Sequence, residues 1–215
     1  ILKGAEMNMN KSLLGIIDAT QNFESLDILT NHRNVAALPI AGRFRLIDFI
    51  LSSMVNSGIS NVAVYPQHHF RSLMDHLGTG KNWDLNRKRD GLFFLPVPHT
   101  AETNGEITSL EHFSYHMTYL ERSEQEFVVV ANSHTVCNID FNAVLKEHLK
   151  MGGDITEVKK GKVSLNMYVL KKDLLVKLIE ERKETGYTSV SEAVHDHYSG
   201  FKVNVYEYEG YLATV

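Results

Sequence analysis

The hydrophobic period of this chain changes twice within its first third, and that pattern narrows the possible folds more than any other feature. Lys11-Ser12-Leu13-Leu14-Gly15-Ile16-Ile17-Asp18 holds an apolar run of strand length. Over residues 44–56 the period becomes helical, placing Leu46, Ile47, Ile50, Leu51, Met54 and Val55 on one broad face. Gly58 stands where a left-handed helix C-terminal residue belongs. Asn61-Val62-Ala63-Val64-Tyr65 then reads as a second strand, stopped by Pro66. Strand, helix and strand in that order imply parallel pairing through a right-handed crossover.

The alternation continues along the chain. A helix is expected over 70–77, then a long polar excursion over 78–91 that holds Trp83 and the basic run Arg87-Lys88-Arg89. Residues 92–96 read as a short strand, and 100–105 as a loop leading into one helix that ends near Glu121. Glu126-Phe127-Val128-Val129-Val130-Ala131 is the expected central strand, apolar on both faces as a parallel sheet demands. Residues 139–150 read as a helix closed by Gly152-Gly153, 162–170 as a strand, and 173–184 and 189–198 as helices. Residues 202–208 alternate like an edge strand. The expected fold is Rossmann-like α/β, three layers with a mixed, mostly parallel sheet. Residues 1–10 read as a tag remnant or loose tail, and 11–215 as one domain.

The chain has 215 residues, 43% hydrophobic and 22% charged, which suits one sizeable core. A net charge of −4 and a pI near 6.3 argue against nucleic-acid binding through a general basic field. Cys137 is the sole cysteine, which excludes an internal disulfide and fits a reducing, cytoplasmic setting. No apolar run reaches the roughly 18 residues that span a bilayer.

Pro39-Ile40-Ala41-Gly42-Arg43-Phe44-Arg45-Leu46-Ile47-Asp48-Phe49 resembles the P-x-x-G-K-F-R-I-I-D-F segment of ADP-glucose pyrophosphorylases. The similarity extends in order from Leu13 to Val215, through Leu29-Thr30-Asn31-His32-Arg33, Asn56-Ser57-Gly58-Ile59, Gln67, Trp83 and Ser164-Leu165-Asn166-Met167-Tyr168-Val169. It implies the scaffold of an enzyme that joins ATP to glucose 1-phosphate, releasing pyrophosphate. Such chemistry needs a glycine-rich turn whose N–H groups approach phosphates. It also needs basic side chains on the leaving group and carboxylates that hold Mg²⁺.

Set against the family pattern, each of those parts is missing. The family's phosphate loop A-G-G-x-G-T-R-L corresponds to Ala19-Thr20-Gln21-Asn22-Phe23-Glu24-Ser25-Leu26, so Gln21 and Phe23 replace glycines and Ser25 the arginine. The lysine of K-P-A falls at Val35. The aspartate of A-G-D-H lands on Ser133, and that of Y-W-R-D-V on Thr214. Serine and threonine are neutral donors that cannot replace two Mg²⁺-binding carboxylates. Losing one oriented charge-stabilising group costs roughly 10²–10³ in rate. The resemblance therefore implies a catalytically deficient chain with no catalytic residues and no metal of its own, Mg²⁺ being confined to a catalytic partner.

What remains resembles the regulatory subunit that accompanies a catalytic pyrophosphorylase subunit in bacterial glycogen synthesis. The expected partners are that subunit or further copies of this chain. Rival readings are an active transferase with a remodelled site and a stand-alone sugar-phosphate or nucleotide sensor. Arg33 and Arg45 match family arginines that bind anionic effectors, and His32 falls where some members carry a lysine; pairing with Asp48 or Glu24 is the structural alternative. Ser164 matches a glucose-contacting serine, with a plain backbone contact as alternative. Gly105 falls in the family's substrate loop G-T-A-D-A, here Gly105-Glu106-Ile107-Thr108-Ser109. Two departures stand out: several dozen family residues near 156–163 are missing, among them a sugar-phosphate-binding lysine, and the family's C-terminal left-handed β-helix is absent.

Other features point to structure. His112 and His116 have the i, i+4 spacing of two metal ligands but lack the glutamate of H-E-x-x-H. His68-His69 and the His195/His197 pair are weaker still. Arg87-Lys88-Arg89 suits a solvated loop, and Cys137, without a basic neighbour, an inert core position.

Overall fold

The computed structural model describes residues 12–21, 23, 26–40, 42–87, 90–97 and 107–214. Its strands are β1 (Leu13–Ala19), β2 (Pro39–Ile40), β3 (Phe44–Arg45), β4 (Asn61–Pro66), β5 (Gly91–Phe94), β6 (Phe127–Asn132), β7 (Thr135–Val136), β8 (Ile155–Lys160), β9 (Val163–Lys171), β10 (Val203–Glu207) and β11 (Ala213–Thr214). Its helices are α1 (Asp27–Thr30), α2 (Leu46–Asn56), α3 (Arg71–Leu77), α4 (Ser109–Ser114), α5 (Met117–Arg122), α6 (Phe141–Met151), α7 (Lys172–Glu180), α8 (Arg182–Thr185) and α9 (Val190–His195).

Among the described residues the main sheet has seven strands in the order β10-β8-β9-β6-β1-β4-β5. β1 pairs in parallel with β4 and β6, β4 with β5, and β10 with β8. β9 runs antiparallel between β6 and β8. The mixed, mostly parallel α/β sandwich is the one expected. Strand alternation builds both faces. Leu13, Ile17, Val62, Val64 and Val129 pack under α2, α3 and α6, whereas Leu14, Ile16, Ala63, Tyr65 and Val128 pack under α4, α5, α7 and α9. Among the described residues no helix is long and apolar enough to cross a membrane.

Several boundaries differ from expectation, each for a local reason. The helix expected from residue 44 starts at Leu46, because Phe44 and Arg45 pair antiparallel with Ile40 and Pro39. Asp48 Oδ2 then accepts the Arg45 N–H at 2.9 Å, closing the first turn. β6 is central but parallel only on its β1 side. The helix expected to end near Glu121 is two, interrupted at Tyr115–His116, and the helix over 173–184 is likewise split at Glu181. The last expected helix is shorter, with Ser189 as its cap. β8 was not anticipated, because Glu157 and two lysines interrupt its apolar pattern; the strand turns through Gly161 (φ +59°) into β9. Residues 202–208 do form the sheet edge, as β10.

Gly15 shows how closely α2 approaches the sheet. A Cβ there would lie 2.8 Å from Met54 Sδ and 3.2 Å from Val62 Cγ2. Gly15→Val should therefore destabilise the fold by about 1–3 kcal/mol through overpacking. Urea denaturation checks this, and an unchanged midpoint would show that α2 yields freely.

Candidate functional site

From β1 the chain crosses to β4 and β5 on one side, then returns to β6 on the other. The strand order thus reverses at β1, and the crevice outside the carboxyl ends of β1 and β6 is a topological switch point, where open α/β sheets place ligands. A cavity of about 410 Å³ opens there. Its walls come from the ends of β1 (Asp18) and β6 (Ala131, Asn132), the start of β9 (Asn166, Tyr168), Ser109, and the α9 region (Ser189, Ser191, Glu192, His195). A larger hollow of about 820 Å³ lies beside Asn61, Asp90 and Phe93, at the amino end of β4 and away from the switch point.

Asp18 is the buried acid of the site. Its Oδ1 accepts from the Thr20 N–H at 3.0 Å and the Thr20 hydroxyl at 2.7 Å, and its Oδ2 accepts from the Ser109 hydroxyl. These bonds tie β1 to the start of α4 and hold the carboxylate at the crevice. Asn132 is locked beside it. Its Nδ2 donates to the Leu165 carbonyl at 2.6 Å, and its Oδ1 accepts the His134 N–H at 3.0 Å. Asn166 adopts the left-handed conformation (φ +50°), which asparagine tolerates. Its Oδ1 accepts from the Tyr168 hydroxyl at 3.1 Å.

Next to the cavity, on the loop after β1, apolar packing replaces charge. Val35 is buried with Leu38 and Leu46, and Phe23 packs against that cluster. Phe23 also meets His134 edge-on, with ring centroids 4.9 Å apart. Burial pushes His134 down to about 4, against a weaker opposing pull from the Asp18 carboxylate, so the ring is neutral near pH 7. Asn34 secures the loop by donating to the Ala19 carbonyl at 2.9 Å.

The expected positions fall as follows. Gln21 is exposed on the cavity wall, and Phe23 and Val35 share the apolar cluster. Ser133 is buried in the turn after β6, and Thr214 pairs with Thr135 two residues further on, so one small ribbon holds both. Ser164 is used structurally: its hydroxyl accepts the Asn166 N–H at 3.0 Å. Arg45 meets Asp48 through its backbone N–H only, and its guanidinium does not form the ion pair that one reading expected. Its guanidinium donates to the Ser72 carbonyl and, at 3.0 Å, to the Ser72 hydroxyl, while Asp48 takes His76 at 2.6 Å. Arg33 is exposed beside His68 and His69 in a small cleft, and His32 is exposed on the preceding turn. Ser25, Glu24 and Gly105 lie outside the described residues.

His112 and His116 point Nε2 at the Leu95 and Pro96 carbonyls, each at 2.9 Å, and so brace α4 and α5 against the end of β5. Among the described residues no cluster of three or more His, Cys, Asp or Glu side chains could hold a metal. Burial pushes the Cys137 thiol up to about 12, as suits a core residue. Sequence reasoning missed Asp18, Asn166, Glu192 and His195 as cavity residues. A carboxylate ending an apolar strand was the available signal for Asp18; nothing local marks the α9 residues.

A family profile described as nucleotidyl transferase matches residues 25–165. The glycogen biosynthesis protein GlgD of Geobacillus stearothermophilus is 51% identical over 91% of this chain, and that of Bacillus subtilis (strain 168) 49% identical over 96%. The chain spans 57% and 60% of their respective lengths. A glucose-1-phosphate adenylyltransferase of Clostridium novyi (strain NT) is 31% identical over 69% of this chain and 39% of its own length. A crystal structure of a putative glucose-1-phosphate thymidylyltransferase from Bacillus anthracis, in complex with a sucrose, superposes with a TM-score of 0.71. It is 10% identical, and the match covers 94% of this chain and 89% of that one. At that identity the likeness supports the fold alone.

The buried histidines make the fold acid-sensitive. Burial pushes His112 down to about 4, as it does His134. Between the ordinary value near 6.5 and about 4, the unfolded chain binds protons that the folded chain refuses. Stability is therefore full above that window and falls as pH drops through it, by up to about 1.4 kcal/mol per pH unit per histidine. His112→Gln, which keeps a donor towards the Leu95 carbonyl, should flatten the decline in urea midpoint between pH 7 and pH 5; an identical decline in both proteins would contradict the assignment.

Proposed function

The chain belongs to the nucleotidyl transferase family, and we propose that it is part of a glycogen-biosynthesis protein in which nucleotidyl transfer has been lost. In this reading it serves as a regulatory partner in ADP-glucose formation. The observation that carries the reading is the Phe23–Val35–His134 packing, which fills with apolar and neutral groups the place where the family keeps glycines and a lysine. Ser133 and Thr214 offer neutral oxygens in place of metal-binding carboxylates. The GlgD relatives carry glycogen biosynthesis in their names, and the adenylyltransferase relative supplies the reaction class.

A subunit without chemistry acts by assembly. It tunes a catalytic subunit if its own ligand binds one quaternary state better than the other. Arg33, exposed beside His68 and His69, is the better placed of the two arginines for an anionic effector, since the Arg45 guanidinium is already held by Ser72. Mg²⁺ and ATP belong, in this reading, to the catalytic partner.

Purified chain supplied with ATP, glucose 1-phosphate and Mg²⁺ should release pyrophosphate at least about 10²-fold more slowly than an ordinary member of the family. Turnover at ordinary enzyme rates would establish an active transferase instead. The packing also sets a condition on repair. Val35→Lys introduced alone, with Phe23 in place, buries an unpaired ammonium and should cost about 2–4 kcal/mol in urea denaturation. Unchanged stability would show that the cluster can admit the family's lysine and that the erasure is shallow.

A further inference from the structure

We propose that the cavity at the switch point takes an uncharged hexose ring, free or at the end of a glucan chain, and discriminates against its phosphorylated form. The inference rests on the reading above that this chain lacks transfer chemistry, and on the cavity's place at the switch point. It is carried by the charges on the walls. Asp18 and Glu192 are carboxylates, and among the described residues no lysine or arginine lines the cavity. His195 is the one group there able to become a cation, and both of its nitrogens face the protein. Nδ1 lies 2.7 Å from the Ser191 carbonyl, and Nε2 lies 3.4 Å from Oε1 of the buried Glu157, an ion-pair contact without hydrogen-bond geometry. A phosphate dianion placed here would face two carboxylates, with no lysine or arginine among the described wall residues to pair it.

Sugar hydroxyls both donate and accept, and the walls offer both roles. A carboxylate has about four lone-pair sites. Asp18 fills three of them with the Thr20 N–H, the Thr20 hydroxyl and the Ser109 hydroxyl, leaving one acceptor site for a hydroxyl donor. Asn166, whose Oδ1 is taken by Tyr168, keeps an Nδ2 that makes no hydrogen bond to the described residues and can donate to a sugar oxygen. The volume of about 410 Å³ lies within the range of roughly 300–1,000 Å³ of small-molecule sites.

Saturation-transfer NMR and calorimetry on the whole chain at low ionic strength, with D-glucose, maltotriose and glucose 1-phosphate as separate probes, test this. The expected result is saturable binding of glucose or maltotriose, with glucose 1-phosphate at least about tenfold weaker. Tighter maltotriose assigns the site to a glucan end, and tighter glucose to the free sugar. Asn166→Gly, compatible with the positive φ, should weaken the neutral sugar about three- to tenfold. Asp18→Asn should narrow the discrimination against glucose 1-phosphate about three- to tenfold, a gain that misfolding cannot mimic. Glucose 1-phosphate binding as tightly as glucose, or no sugar binding at all, overturns the inference. The pyrophosphate assay separates the two levels: tight glucose 1-phosphate binding without turnover sinks only this inference, whereas turnover sinks the regulatory reading as well.

Discussion

The parallel pairing of β1 with β4 on one side and β6 on the other is the constraint from which the rest follows. Because the two neighbours are reached by crossovers that diverge, the switch point lies at the carboxyl end of β1, and a crevice opens there. The close seat of α2 over Gly15 fixes the height of that strand against its helices. The last turn of β1 then delivers Asp18 to the crevice, where Thr20 and Ser109 hold it. Position, burial and orientation of the acid are thus consequences of sheet order.

Around this fixed point the side chains are mutually consistent. An isolated exchange of lysine for valine would leave a void or an unsatisfied neighbour. Here Val35 joins Leu38, Leu46 and Phe23 in one apolar cluster, and His134 closes it in its neutral form. The neighbouring cavity is polar, and among the described residues no lysine or arginine lines it. Phosphoryl transfer depends on positive charge placed before the reaction begins, and the site places neutral and negative groups instead. Recognition of hydroxyl groups, unlike phosphoryl transfer, needs only hydrogen bonds.

Much of the frame was legible in the sequence because β1, α2, β4 and β6 carry uninterrupted periods. β8 was hidden by Glu157, a buried carboxylate that meets Lys159 two residues along the same strand and His195 from α9. The break at Tyr115–His116 was invisible because the apolar period continues across it, while the carbonyl that receives His116 belongs to Pro96, 20 residues away. The positions Phe23, Val35, Ser133 and Thr214 were singled out through the family pattern, and the structure adds that the first two pack together. The α9 wall of the cavity was not legible: Ser191, Glu192 and His195 meet Asp18 and Asn132 only once the sheet has assembled. Arg45 was read as an effector residue or a partner of Asp48, and a backbone carbonyl in α3 supplied a third answer.

The metal dependence of ATP binding tests the loss of the triphosphate cradle most directly. Calorimetric titration of the chain with ATP, with and without Mg²⁺, should give the same weak or absent binding in both. Affinity that strengthens about a hundredfold or more on adding Mg²⁺ would mean that a metal-bound triphosphate is gripped after all, and that the apolar cluster around Val35 has erased nothing.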